Sequence, residues 1–380
     1  MDVRLINTIK KVTNLHTPYL VKTPSFLFDL NILEDNYKTI NSSIAGGCEI
    51  RYALKANSED DVIEKLKSLG SGFEIASLGE LTILKKHLVD PRSIFFSSPV
   101  KIPEHISAAY EYGVSYFGFD SVEELIKLKT YAPHSTVYLR IQVSNHGSNW
   151  KLEDKFGALK PHWQRLMVTA KKYGLKPEGI TFHVGWNNES VETWKNTLKV
   201  VEGLINKLHK SGINITFIDL GGGFPAHKID QFKALKQIVS AINPLLKKLV
   251  STYKLQIFAE PGTFLVANCG LLMTKIFAKI KRRNTTWLYV DSSMTNGFYW
   301  ILAGLQYEID AVTTRKKQGK NVFYNVTGPT CDSHETFQKR VLLPSGLQVG
   351  DVLIISPAGA YISSAKEYNS FPYPQTIFLK

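Results

Sequence analysis

The chain has only three cysteines, Cys48, Cys269 and Cys331, spread over 380 residues. An odd, scattered set of thiols argues against a disulfide framework and a structural zinc site, and it points to a reducing compartment, the cytoplasm. Also missing is any apolar stretch near the ~18 residues that a membrane span requires. The N-terminal MDVRLINTIKKVTN lacks the apolar run and small-residue cleavage site of a secretory leader, so a soluble, unexported protein is expected. Acidic residues are in deficit, 33 Asp and Glu against 46 Lys and Arg, for a net charge of +13. Yet the positive charge is scattered, with only short clusters such as Lys171-Lys172 and Lys281-Arg282-Arg283. No basic block alternates with stacking aromatics, and no helix-turn-helix, zinc-finger or RNA-binding signature is found, so nucleic acid is set aside and anionic small molecules suit the charge better.

What is present is an ordinary globular composition, 44% hydrophobic and 21% charged, in a chain longer than one core usually serves. From residue 49 a rhythm recurs: a short β-branched or aromatic run, a turn, then a segment with helical periodicity. Strands are expected at 49–54, 72–76, 93–97, 114–119, 136–142, 179–184, 215–220 and 256–260. Helices are expected at 59–69, 77–88, 103–112, 121–131, 160–173, 188–211 and 231–253, several opened by Ser58, Ser77 or Asp120 as caps. Eight near-continuously apolar strands predict a parallel (β/α)8 barrel of the TIM type, with an open doubly wound sheet as the alternative. After residue 266 the rhythm becomes strand-like, at 272–280, 286–291, 306–314, 320–327, 339–343 and 350–356. With the strand-like SFLFDL near the start, this predicts an α/β protein: a barrel over 31–266, and a mostly β domain of sandwich or barrel type from 1–30 plus 267–380.

In such a barrel, reactive side chains belong at the C-terminal ends of the strands. Lys55, Glu74, Arg140, His183, the Gly221-Gly222-Gly223 run and Glu260-Pro261-Gly262 all fall at or near such ends. Each has an ordinary explanation alone: a solvated lysine, a hydrogen-bonded core histidine, a structural arginine, a tight glycine turn without the GxGxxG spacing. Six at equivalent strand ends carry more weight. A glycine run lets backbone N–H groups approach a phosphate, a lysine forms a Schiff base with an aldehyde, and a carboxylate keeps a pyridine nitrogen protonated. Together these describe a site for pyridoxal 5'-phosphate.

With those residues in view, the sequence resembles the alanine-racemase-fold (fold type III) decarboxylases, which include ornithine, lysine, arginine and diaminopimelate decarboxylases. The stretches that carry the resemblance are YALKAN (52–57), GFEIASLGEL (72–81), FGFDSVEEL (117–125), YLRI (138–141), FHVG (182–185), LGGGFP (220–225), AEPGTFLVA (259–267), GPTCDS (328–333) and GAY (359–361). The resemblance implies that Lys55 links to the cofactor, His183 stacks on its face and Glu260 meets its ring nitrogen. It implies that Gly222, Gly223, Gly262, Thr263 and Tyr361 hold the phosphate, with Glu74 and Arg140 in support. It also implies a homodimer in which the loop of Cys331 and Asp332 completes the partner's site, Cys331 returning the proton after carbon dioxide leaves.

Three positions depart from the family pattern. Trp186 stands where a serine is common, Thr263 where an arginine follows EPG, and Gly304 where ornithine decarboxylases carry an acid for the distal amine. Asp332 and Glu335 are then the candidate amine partners, and Trp186, Gly304 and Trp300 shape the pocket. The expected function is decarboxylation of an amino acid, a diamino acid or a larger conjugate of the polyamine or siderophore precursor type. The alternatives are a racemase or other lyase on the same fold, and a non-catalytic regulatory homologue.

Overall fold

The computed structural model describes residues 22–150, 154–226, 231–312, 320–363 and 371–380. The chain divides into two compact units: Glu34–Leu265, and the chain up to Leu33 together with that from Val266 onward. Strand β1 (Ser25–Asp29) belongs to the latter, and helix α1 (Leu30–Ser43), which the sequence pattern does not announce, leads from it into the former.

The first unit is a closed barrel. Its strands are β2 (Glu49–Ala53), β3 (Gly72–Ile75), β4 (Ile94–Phe96), β5 (Tyr116–Phe119), β6 (Thr136–Ile141), β7 (Lys176–Phe182), β8 (Phe217–Asp219) and β9 (Gln256–Ala259). They pair in chain order and in parallel, and β9 returns to β2 through Glu49↔Phe258 and Ile50↔Ala259. That last pairing is what excludes the open sheet. Between the strands run α2 (Asp60–Ser68), α3 (Leu78–Lys86), α4 (Pro103–Tyr112), α5 (Val122–Tyr131), α6 (Trp163–Lys172), α7 (Val191–Lys210) and α8 (Gln231–Tyr253).

The helix starts show where local reading succeeds. Ser77 caps α3, its hydroxyl accepting the Glu80 amide at 3.2 Å, and Glu80 reaches back to the Ala76 amide. Two other expected caps move by one residue. Ser121 rather than Asp120 caps α5, and α2 starts after Glu59 rather than Ser58. Asp120 is used elsewhere, accepting the Gly157 amide at 2.9 Å.

Inside the barrel, side chains at every second strand residue face inward. The floor is a cluster of Phe95, Tyr138, Phe217 and Phe258, with Tyr116 stacked on Phe95 at 4.6 Å. Arg51 reaches into this cluster, its guanidinium 4.5 Å from the Phe258 ring centre and 5.1 Å from that of Phe95. A delocalised, weakly hydrated cation tolerates such aromatic faces, and Glu49 pairs with it at 3.0 Å. Gly179 makes room: a Cβ there would stand 2.1 Å from the Phe217 ring.

The second unit is an eight-stranded sheet built around β10 (Gly270–Arg282). The other strands are β11 (Thr285–Val290), β12 (Glu308–Val312), β13 (Asn321–Thr327), β14 (Gln338–Pro344), β15 (Val352–Ser356) and β16 (Gln375–Leu379). The first half of β10 pairs with β1 and β15, and its second half, from Ile276, pairs with β11, with a register shift between Ile276 and Ala278. Alternation again divides the faces: Phe26, Leu272 and Ile276 enter one core, Leu27, Leu271 and Met273 another. This is the mostly β domain expected from both chain ends. Strand β16, paired in parallel with β1, is an addition to the expected strands, and residues 313 and 314 of one expected strand lie outside the described residues.

Phe95→Ala removes the ring at the centre of the barrel floor. Its expected cost is about 3–5 kcal/mol, read as a lower urea midpoint with an unchanged slope.

Candidate active site

The alternation that places aromatics on the barrel floor also fills the mouth. Two residues beyond each floor position stands a polar one: Ser97 after Phe95, Arg140 after Tyr138, Asp219 after Phe217, Glu260 after Phe258. Along β2 the same step runs from Arg51 to Ala53 to Lys55.

Lys55 is not the last residue of a strand. β2 stops at Ala53 and the chain enters a 3-10 turn, Leu54–Ala56, whose two outer side chains are fully buried. The turn is held by the Asn57 amide on Leu54 O at 3.2 Å and by the Tyr52 hydroxyl on Asn57 O at 2.9 Å. Anchoring both neighbours turns Lys55 into the mouth with its side chain 52% exposed, and its Nζ lies 2.8 Å from Oε2 of buried Glu74. The amine is therefore half exposed and held in an ion pair, not buried in an apolar pocket.

Opposite stands a network of acids. Glu260 accepts a hydrogen bond from Ser97, whose hydroxyl also lies 2.8 Å from the Tyr138 hydroxyl. Asp219, fully buried, accepts the Thr181 hydroxyl at 2.9 Å and the Gly221 amide at 2.9 Å. Burial first, then the negative charges of Asp219 and Glu74, pushes the Glu260 carboxyl well above the usual carboxylate range. Asp219 is raised chiefly by burial. Arg140 supplies opposing charge toward Glu260, Asp120, Glu74 and Asp219, and its guanidinium rests 5.2 Å from the Phe156 ring centre. Asp219, Ser97, Thr181 and Tyr138 were missed from the sequence. The signal that could have found Asp219 and Ser97 is the two-residue step from a floor aromatic.

His183 is held as a neutral ring. Its Nδ1 accepts the Gly185 amide at 3.1 Å, which leaves Nε2 to carry the hydrogen. Burial, with the positive charges of Arg140 and Lys55, lowers its pKa to about 3. The glycine run lies against it. A Cβ on Gly221 would stand 2.0 Å from Phe182 O, and one on Gly223 2.2 Å from Gly185 O, both at left-handed φ. On Gly222 a Cβ would reach His183 Nε2 at 3.2 Å, so the backbone itself lines the space beside the ring. Gly262 brings the next turn to within contact of Ala53 and Ala56, the residues flanking Lys55.

Two of the departures meet. The Trp186 indole N–H points to Thr263 Oγ1 at 3.4 Å, and Trp186 stacks on Trp150 at 4.9 Å across a β-bridge. Thr263 opens the single helical turn Thr263–Val266.

In the other unit, the remaining site residues gather on loops around one core. Met294, Phe298, Phe337, Ala358 and Ile362 share a cluster that joins segments 292–305, 328–337 and 358–362. Trp300 meets Tyr361 edge-on at 5.7 Å, and Cys331 is an exposed free thiol. Gly304 ends a 3-10 turn at φ +89°, where an acidic side chain would strain the backbone. Glu335 departs from expectation: it is buried, and its carboxylate accepts the Ser293 hydroxyl, the Met294 amide at 3.2 Å and the Thr330 amide at 2.7 Å. Both of its oxygens are engaged in tying segment 328–337 to Ser293 and Met294, which leaves the carboxylate satisfied by protein donors. Asp332, 31% exposed and bonded to His334, remains as a candidate amine partner.

The barrel mouth fits pyridoxal phosphate on its own donors: an accessible amine, a neutral ring, an acid network and a backbone cradle that only glycine can form. Comparison with known proteins agrees. Residues 30–267 match the family described as pyridoxal-dependent decarboxylase, pyridoxal binding domain. The lysine/ornithine decarboxylase of Selenomonas ruminantium is 29% identical over 365 residues, 95% of this chain and 90% of that protein. A crystal structure of lysine decarboxylase from the same organism has a TM-score of 0.87 at 27% identity, covering 98% of this chain and 95% of that one. Antizyme inhibitor 2 of Xenopus laevis is 28% identical over 335 residues, 84% of this chain and 73% of that protein.

Because His183 already accepts a hydrogen bond at Nδ1 and its pKa lies near 3, its imidazole is expected to stay neutral from about pH 5 to 8, where an ordinary histidine titrates. Ring nitrogen NMR shifts that stay constant over that window, in the Nε2–H tautomer, check this.

Proposed function

The chain belongs to the pyridoxal-dependent decarboxylase family, and from that membership we propose that it removes the α-carboxylate of a diamino acid or of a larger conjugate of one. It is a pyridoxal-phosphate-dependent amino-acid decarboxylase. The observation that carries the reading is the joint presence at one barrel mouth of Lys55 on Glu74 and of Glu260 on Ser97, with the negative charge of Asp219 acting on Glu260.

Bound cofactor supplies an aldehyde that condenses with amines and a ring that accepts the electron pair released when the carboxylate departs. Each residue then has a task. Lys55, fixed by its turn and steered by Glu74, presents an amine that a substrate amine can replace. Glu260 holds a proton at the ring nitrogen, which an arginine in that place, as in racemases of this fold, would repel. His183 offers a flat, uncharged face that adds no positive charge of its own. The backbone of Gly222, Gly223 and Gly262 receives the phosphate, with Thr263 and Trp186 in place of arginine and serine. The resemblance adds Tyr361 to the phosphate ligands. Cys331, as an exposed thiol, returns the proton, and Asp332 takes the distal amine.

The glycine at 304 and the Trp186–Trp150 wall support a substrate wider than ornithine or lysine, and the net charge of +13 supports an anionic conjugate of polyamine or siderophore type. The scattered free thiols support a cytoplasmic location, and the resemblance supports a homodimer whose Cys331 loops complete each other's sites. Among the described residues no helix is long and apolar enough to cross a membrane. A regulatory homologue without activity has no need of the Lys55, His183 and Glu260 set.

The test is a panel of ornithine, lysine, arginine, diaminopimelate and their anionic conjugates, read as carbon dioxide and amine. Turnover of plain ornithine or lysine as fast as any conjugate overturns the conjugate reading. Lys55→Ala is expected to lose the visible absorption of the bound cofactor and roughly 10⁴-fold or more of kcat. Asp332→Asn is expected to raise KM for a diamino acid by about 10- to 100-fold, the worth of one charged hydrogen bond, with kcat little changed.

A further inference from the structure

A serine hydroxyl carries one hydrogen, and an ionised carboxylate only accepts. When Glu260 is ionised, the Ser97 hydrogen therefore goes to its Oε1, and the 2.8 Å contact between the Ser97 and Tyr138 hydroxyls uses the hydrogen of Tyr138. The result is a one-way chain of donors, from Tyr138 to Ser97 to Glu260. The topology makes room for it. Ser97 follows β4 and Tyr138 lies on β6, with β5 between them. On β5 the inward residue above Tyr116 is Gly118, which pairs with Tyr138 and whose Cβ would stand 2.8 Å from Ser97 O. With no side chain there, the hydroxyls of the flanking strands meet over β5. The Ser97 amide is fixed on Ile75 O at 3.2 Å, and Tyr138 has no exposed surface, so the chain is built into the barrel wall.

We infer that Ser97, backed by Tyr138, is a positioning residue for Glu260: the pair holds the carboxylate by Oε1 in its ionised form, presents Oε2 to the ring nitrogen of pyridoxal phosphate, and so keeps the shared proton on that nitrogen. This rests on the family reading of Glu260 as the partner of the ring nitrogen. A proton shared by a carboxylate and a pyridine goes to the stronger base, and each donor bonded to Glu260 weakens the carboxylate as a base. A protonated ring is the better electron acceptor. The hydroxyls give up no proton of their own; they select whether the shared one forms an N–H or an O–H bond.

The pair works against much of the mouth. Burial and the negative charges of Asp219 on β8 and Glu74 on β3 favour a proton on Glu260 itself. Ser97 and Lys55 beyond β2 favour the carboxylate, Arg140 on β6 adds positive charge, and His183 on β7 is neutral. The floor supports the same reading. Its other three buried rings, Phe95, Phe217 and Phe258, carry no hydroxyl. A phenylalanine at 138 would fill the same space without a buried polar atom to satisfy, so packing alone does not call for a tyrosine there.

The experiment uses full-length protein carrying Ser97→Ala, Ser97→Thr, Tyr138→Phe or Ser97→Ala with Tyr138→Phe. The double variant leaves neither hydroxyl without its partner and so guards against misfolding. In protein stripped of cofactor, the protonated-carboxyl infrared band of Glu260, identified by its loss in Glu260→Gln, is expected to persist about one pH unit higher in Ser97→Ala than in wild type, and to return to the wild-type midpoint in Ser97→Thr. An unchanged midpoint in Ser97→Ala and the double variant overturns the inference. With pyridoxal phosphate isotopically labelled at its ring nitrogen, the nitrogen resonance is expected to move from the pyridinium toward the pyridine position in both, with kcat falling about 10- to 100-fold. A resonance that stays at the pyridinium position overturns the inference as well. Tyr138→Phe shifts both readings by less, and adds nothing once Ser97→Ala is present, because Tyr138 acts through Ser97; additive effects count against the chain. A wild type that develops no visible band, or one that Lys55→Ala retains, refutes the cofactor reading itself, while the infrared midpoints test the hydroxyl pair without cofactor.

Discussion

Closure of eight parallel strands is the constraint on which the site depends. Once β9 returns to β2, each strand has one inward face, and the two-residue period of that face dictates which side chain stands above each floor residue. The aromatics that fill the lower barrel and the polar groups that line its mouth are successive members of the same rows. A slip of one residue in any strand would exchange both sets for outward-facing ones, so register protects the core and the chemistry together.

The mouth is a charge balance more than a collection of reactive groups. Glu74, Asp219 and Glu260 bring negative charge into a space with little water; Lys55 and Arg140 answer it, and His183 is kept neutral with the help of the Gly185 amide. Each group has its state set by a neighbour on another strand. The site therefore exists only in the closed barrel, although several of its residues lie close in sequence to a recognisable motif.

Much of this was legible because parallel strands buried on both faces read as short apolar runs at regular spacing, and all eight barrel strands stood out in that way. The β-rich region beyond residue 266 was equally visible from its change of rhythm. The misses have physical causes. Asp120 and Ser58 look like caps, but a cap is defined by which backbone N–H its oxygen reaches, and one residue of phase decides that. Asp219, close before a glycine run, looks like a turn residue, and only the inward parity of β8 brings its charge to bear on Glu260. Glu335 carries the right charge for a substrate contact, but its carboxylate is taken up by three protein donors, Thr330 on its own loop and Ser293 and Met294 on another. Strand β16 gains its place from pairing with β1, at the opposite end of the chain, which no local pattern announces.

The contact between Trp186 and Thr263 ties two departures from the family pattern into one. An arginine at 263 would have to share space with an indole that now fills the approach from 186, and a serine at 186 would remove both the donor to Thr263 and the ring on which Trp150 stacks. Substitutions at touching positions do not add. The effect of replacing either residue therefore depends on which side chain stands at the other position.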